Sequence, residues 1–196
     1  MAAASDRPLA GREILLCLTG GIACYKAADL ASKLVQGGAG VSVAMTDAAQ
    51  QFITPLTLQT LSGRRVYTSL WQAREDYSSQ HLSLTEQAGL MIAAPATANC
   101  LAKMATGLAD DLVSTLALSA TGECPILVAP AMNPRMYNAP PTQENLQTLR
   151  GRGVHVIGPG AGYLACGVVG PGRMAEPADI LAAAVDILSR PPADVV

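Results

Sequence analysis

Cys166 is the residue in this chain best placed to react. It sits in Gly160–Glu176, Gly-Ala-Gly-Tyr-Leu-Ala-Cys-Gly-Val-Val-Gly-Pro-Gly-Arg-Met-Ala-Glu. A glycine-rich segment can approach a ligand closely and can move, so a thiol held in it is placed for chemistry. No apolar periodicity accounts for Cys166, Arg173 is near it in sequence, and the segment reads as a loop rather than a packed helix or strand. The other cysteines read differently. Cys17 belongs to a strand core, Cys100 and Cys124 are small packing residues, and Cys24 lies on the first helix without a partner. Five cysteines without CxxC or Cys/His spacing point to reduced thiols in a cytoplasmic protein, with neither disulfide framework nor zinc.

Three further stretches carry polar groups suited to ligands. Gly20-Gly21 lies where a strand meets a helix, so backbone N–H groups and a helix N-terminus would face an anion there. Ala23 and Cys24 stand where a dinucleotide fingerprint needs its last glycine, and no Walker lysine follows. A mononucleotide phosphate fits better than a pyrophosphate, and a bare tight turn is the simpler alternative. Thr97 and Asn99 are flanked by alanines and could address a phosphate or a ring edge, or simply cap a helix and make a turn. Asn133, between Met132 and Pro134, could read a carboxylate or an amide because its side chain both donates and accepts; by itself it also reads as a turn former. His81 opens a short helix and by position alone reads as a cap or surface residue, with catalysis the alternative; His155 lies inside a strand; and Asp110-Asp111 reads as a helix cap, with a site role the alternative.

The elements that must position these groups alternate along the chain. The run Glu-Ile-Leu-Leu-Cys-Leu-Thr after Arg12 predicts a buried parallel strand, followed by a helix that Gly37-Gly38 stops and a second strand from Gly40. Residues 47–62 read as helical with Pro55 opening a second piece, and Arg64–Leu70 holds a short strand. A short helix from His81 leads into the strand at Leu90, and a helical pair spans about Cys100–Ala120, broken near Gly107. Pro125–Ala129 is another strand, Pro130–Pro141 a loop, Gln143–Arg150 a helix, Val154–Ile157 a strand, and Pro177 opens the last helix. Strand–helix alternation throughout predicts an α/β fold, a doubly wound parallel sheet of Rossmann or flavodoxin type in one domain over residues 11–190, with flexible ends at 1–10 and 191–196. Ligands bind such sheets at the carboxyl ends of the strands. There the loops of Thr19, Thr46, Pro95, Pro130 and the Cys166 segment would converge.

Bulk properties narrow the function further. Of the 196 residues half are hydrophobic but only 4% aromatic, so alanine, leucine and valine dominate and helices can sit close to a buried sheet. A net charge of −2 and the absence of any Lys/Arg cluster leave no footprint for nucleic acid or a membrane surface. No apolar run reaches ~18 residues, so no membrane span is expected.

Taken in order, Thr-Gly-Gly-Ile-Ala-Cys-Tyr-Lys-Ala, His81-Leu-Ser-Leu, Ala-Pro-Ala-Thr-Ala-Asn, Gly-Leu-Ala-Asp-Asp-Leu, Ala-Pro-Ala-Met-Asn-Pro-Arg-Met and Leu-Ala-Cys-Gly-Val-Val-Gly-Pro-Gly-Arg-Met-Ala-Glu-Pro resemble the flavin-containing cysteine decarboxylases. The likeness covers about residues 11–190 and is nearest to the bacterial branch acting in coenzyme A biosynthesis. It implies FMN held by Gly20, Gly21 and Ile22, by Thr46, Asp47 and Ala48, by Thr97, Ala98, Asn99 and Cys100, and by Ala131. It implies His81 as an active-site histidine, Asn133 on the substrate carboxylate, Met136, Ala165 and Gly167 beside the substrate, and Cys166 as an acid on a closing flap. The implied reaction converts 4′-phosphopantothenoyl-L-cysteine, a small-molecule substrate, to 4′-phosphopantetheine. Oxidation of the thiol gives a thioaldehyde, CO2 leaves to give an enethiolate, and hydride return with protonation completes the cycle. It also implies homotrimers, dodecamers in bacterial members, FMN at a subunit interface, and in many relatives a following ligase domain. Cys24 stands where a small apolar residue is usual. A peptidyl-cysteine decarboxylase and a non-catalytic flavin-binding regulatory subunit are the alternatives. The Ala-Cys-Gly flap disfavours the first, and the joint presence of His81, Asn133 and Cys166 disfavours the second.

Overall fold

A computed structural model describes residues 7–71, 80–163, 167 and 169–190; the side chains of Gln80 and His81 lie outside that description. A six-stranded parallel sheet forms the centre, built from β1 (Glu13–Leu18), β2 (Gly40–Met45), β3 (Val66–Tyr67), β4 (Leu90–Ala96), β5 (Ile126–Pro130) and β6 (His155–Val156). Their spatial order is β3-β2-β1-β4-β5-β6, so the winding reverses between β1 and β4. The expected doubly wound α/β sheet is the fold observed.

Alternate residues of the central strands serve two cores. Ile14, Leu16 and Leu18 point into one, with Leu30 of α1 (Cys24–Gln36), Leu58 of α2 (Pro55–Ser62) and Ile180 of α8 (Pro177–Ser189). Leu15 and Cys17 point into the other, with Leu84 of α3 (Gln80–Gln87), Leu101 of α4 (Ala98–Thr106), Leu116 of α5 (Leu112–Ser119) and Leu146 of α7 (Pro140–Gly151). Burial on both faces is why β1 and β4 are continuously apolar rather than alternating.

The helix boundaries follow from local chemistry. Thr54 caps α2, whose first residue is Pro55, and Gly63 ends it in the left-handed region at φ 66°. Asp111 and Ser114 form a reciprocal capping box at the start of α5, an arrangement worth about 1 kcal/mol. Leu9 is fully buried and its N–H donates to the Gly37 carbonyl, so the packed domain extends outward of residue 11.

Two segments differ from the sequence expectation. The Pro130–Pro141 stretch contains a short helix α6 (Pro134–Tyr137), and α7 begins at Pro140 rather than Gln143, since proline in a first turn forfeits no helical hydrogen bond. The Gly160–Glu176 segment is a two-stranded antiparallel ribbon at its base, not a loop. Here β7 (Gly160–Tyr163) pairs with β8 (Val169–Arg173). Backbone groups packed against protein must find partners, and glycine-rich chain satisfies them as strands when another strand lies alongside. No described helix is long and apolar enough to cross a membrane.

Candidate cofactor and substrate site

The carboxyl ends of β1, β2, β4 and β5 open into one cavity of about 1060 Å³. Gly20, Gly21, Ile22, Thr46, Asp47, Ala48, Thr97, Ala98, Asn99, Cys100, Ala131, Asn133 and Met136 all line it. Gly167 does not, and Ala165 and Cys166 lie outside the described residues. His81 occupies the first turn of α3.

The turn after β1 is built for an anion. Among the described residues the backbone N–H groups of Gly20, Gly21, Ile22 and Ala23 donate to no protein acceptor. A side chain at Gly20 would place its Cβ 2.4 Å from that of Ala48, so only glycine lets the β1 and β2 loops meet this closely. Cys24, far from lacking a partner, donates its thiol to the Thr19 carbonyl at 3.3 Å across this turn. On the neighbouring loop Thr97 caps α4, accepting from Cys100 N at 3.3 Å, while Ala98 and Asn99 keep free N–H groups. Converging unpaired donors and a side-chain-free approach fit the phosphate of a mononucleotide.

Asn133 caps α6. Its Oδ1 accepts from Arg135 N at 2.7 Å and Met136 N at 3.3 Å. The turn-former and the ligand reader are therefore the same residue: with the oxygen committed, the side-chain NH2 is the group left for a ligand. It can donate to a carboxylate but cannot also accept from an amide. Beside it the ribbon docks by Met132 N donating to Gly172 O at 3.0 Å. At Gly172, φ 135°, a Cβ would fall 2.1 Å from Met132 O, so a side chain would drive the strand off the Asn133 loop.

Two charged clusters on the cavity wall form around lysines that had no sequence assignment. Lys103 contacts Asp110 at 2.6 Å and Asp111 at 2.7 Å. Burial alone would raise the Asp111 carboxyl, but hydrogen bonds from Lys103 and Ser114 outweigh it and hold it below its usual value. Lys26, buried on α1, donates to Met174 O at 3.1 Å and Glu176 Oε1 at 2.7 Å, and Arg173 reaches the same oxygen at 3.4 Å. The one legible signal for Lys26 was a lysine four residues before Leu30, on the apolar face of its helix; its partner 150 residues away was not legible.

The Lys26 hydrogen bond, opposed by burial, lowers the Glu176 carboxyl below its usual value. A depressed carboxylate contributes fully above the unfolded value of about 4.3 and loses that contribution as pH falls through the lower folded value. Glu176→Gln should lower Tm at pH 7 by about 2–4 °C, a small change because the carboxylate is 57% exposed and screened. It should also flatten the wild type's loss of Tm on acidification. Matching Tm–pH curves for the two proteins would show that the bridge contributes nothing.

None of the described thiols is activated. Burial pushes Cys17, Cys24 and Cys124 upward, and Cys100 up to about 12, with the Asp111 charge adding to the last.

A doubly wound sheet with unpaired N–H donors gathered at its switch point defines a nucleotide-binding α/β protein. The flavoprotein family model matches residues 2–189, and the chain belongs to that family. The coenzyme A biosynthesis bifunctional protein CoaBC of Vibrio cholerae is 52% identical over 174 residues, covering 89% of this chain and 43% of that protein. CoaBC of Escherichia coli is 48% identical over 177 residues, 90% of this chain and 43% of its own length. The chain thus spans less than half the length of these curated relatives. Among solved structures, a cysteine-to-serine mutant of PPC decarboxylase complexed with pantothenoylaminoethenethiol has TM-score 0.78 and 31% identity, covering 88% of this chain and 96% of its own. SpaF, an FMN-dependent cysteine decarboxylase, has TM-score 0.80 and 27% identity, covering 93% and 99%.

Proposed function

We propose that this chain is an FMN-dependent cysteine decarboxylase that converts 4′-phosphopantothenoyl-L-cysteine to 4′-phosphopantetheine in the cytoplasm. The observation that carries the reading is one cavity lined both by the unpaired donors of Gly20–Ala23 and by Asn133, whose amide is left as a donor. The likeness to CoaBC and to PPC decarboxylase supports the substrate.

Gly20, Gly21 and Ile22, with Thr46–Ala48, Thr97–Cys100 and Ala131, hold the cofactor. FMN when bound supplies the two-electron oxidation of the cysteine side chain and its reversal, which no side chain of the protein can perform. Asn133 donates to the substrate carboxylate and fixes the Cα–carboxylate bond relative to the forming C=S group. A carbanion at Cα has no sink in cysteine itself, whereas next to a thioaldehyde it is conjugated, so CO2 departs to leave an enethiolate. Cys166 then delivers a proton to Cα in a site closed to water. His81 is the active-site histidine of this reading, and Met136, Ala165 and Gly167 border the substrate.

Apolar side chains at the cavity rim support assembly into trimers, or into dodecamers built from trimers, with a second copy completing the site. Tyr25 is 63% and Trp71 89% exposed there, and Ile22 and Tyr163 are exposed beside them. A ligase domain, or a protein next in the pathway, is the expected partner, in keeping with the bifunctional relatives.

The test is direct. Purified protein should carry an FMN absorption spectrum, elute at a multiple of the trimer mass, and release CO2 from 4′-phosphopantothenoylcysteine. A colourless protein inert toward that substrate overturns the reading.

A further inference from the structure

Thr19 directly follows β1 at the switch point and opens the Thr-Gly-Gly motif, which assigned the residue no role of its own. Its hydroxyl is buried, 3% exposed, and donates to Pro95 O at 2.7 Å while accepting from Thr97 N at 3.0 Å. Thr97 Oγ1 lies 3.3 Å from the same hydroxyl oxygen. The regular β1–β4 ladder ends at Cys17–Ala93, and β4 then shifts register against β5 between Ala93 and Ala96. Beyond that point the two strands diverge toward different loops. The Thr19 side chain, with its own N–H on Pro95 O at 3.3 Å, takes over the pairing that the backbone gives up.

Two sets of unpaired N–H groups flank this hydroxyl: Gly20–Ala23, beginning at the next residue, and Ala98–Asn99, beginning one residue past Thr97. No other side-chain hydrogen bond among the described residues links segment 19–23 to segment 95–99. At Gly21 the methyl of Thr97 lies 3.9 Å from the place a Cβ would take. An anion held by donors from two loops is bound well only if the loops keep a fixed separation before it arrives.

We propose that Thr19 is a positioning residue: its hydroxyl locks the β1 and β4 loops into one preorganised receptor for the cofactor's phosphate. The inference rests on the FMN reading above. It makes Thr19 a determinant of the preference for the phosphorylated flavin over riboflavin, although its hydroxyl proton is committed to Pro95 O and is not donated to the phosphate itself.

The full-length chain and its Thr19→Val and Thr19→Ser variants are freed of flavin, titrated with FMN and with riboflavin by fluorescence quenching, and compared by Tm without ligand. Valine keeps the shape and removes both side-chain hydrogen bonds, leaving Thr97 N unpaired and Pro95 O with only the residue-19 N–H. FMN affinity should fall about 10-fold or more while riboflavin affinity changes far less, and serine should restore the FMN preference. Thr19→Cys, a weaker donor and acceptor of similar size, replaces the valine variant if that one does not fold. Equal weakening of both flavins, a fall in Tm with the preference intact, or unchanged FMN binding would each overturn the proposal while the FMN reading stands. A wild type that binds neither flavin overturns both.

Discussion

Asn133→Asp should lower the turnover of 4′-phosphopantothenoylcysteine by about 10²–10³-fold while leaving Tm and flavin content near wild type. The substitution separates two tasks that one side chain performs. Aspartate is as good a helix cap as asparagine, so the acceptor that serves Arg135 N and Met136 N survives and α6 keeps its start. What disappears is the NH2 donor, replaced by an anionic oxygen facing the substrate carboxylate. Asn133→Ala removes cap and donor together and should also cost about 1 kcal/mol of stability, so the aspartate variant is the cleaner probe. Steady-state CO2 release and thermal melts on both variants measure the two effects. Turnover of the aspartate form within a few-fold of wild type would remove the amide from substrate binding.

Cys166→Ser should oxidise and decarboxylate the substrate but stall before the last protonation, with output of 4′-phosphopantetheine down by about 10²–10⁴-fold. A serine hydroxyl fills similar space, yet its proton is far less acidic than a thiol's and is not transferred to Cα at a useful rate. The enethiol, two hydrogens lighter than the final product, should accumulate and be visible by mass spectrometry. Undiminished 4′-phosphopantetheine from this variant would exclude the thiol as the acid. The four described thiols offer no substitute, since burial holds every one of them high.

The parts of the fold that could be read from sequence were those whose causes are local. Apolar runs such as Ile14–Leu18 and punctuation such as Gly37, Pro55 and Gly107 sufficed for the strands, most helix ends and the convergence of loops at one sheet edge. The Gly160–Glu176 ribbon was missed because its order comes from a partner strand and from docking at Met132, neither written into its own composition. The Lys26–Glu176 bridge was invisible for the same reason, its halves lying 150 residues apart. Asn133 was half legible. Its setting in a proline-rich loop reads as a turn former or a ligand reader, but only the geometry shows that it caps a short helix, which consumes the oxygen and turns a two-way amide into a one-way donor.

The reversal of winding between β1 and β4 also has a thermodynamic side. Thr19 and Pro95, which meet at the crevice, are 76 residues apart in sequence, so half a receptor does not exist in a partly folded chain. A ligand seated there binds the native state and has nothing to hold in the unfolded one. Its binding free energy is then added wholly to the stability of the domain, growing as RT ln(1 + [L]/Kd). The cellular supply of flavin mononucleotide would thereby set how long each molecule of this protein survives proteolysis as well as how many are active.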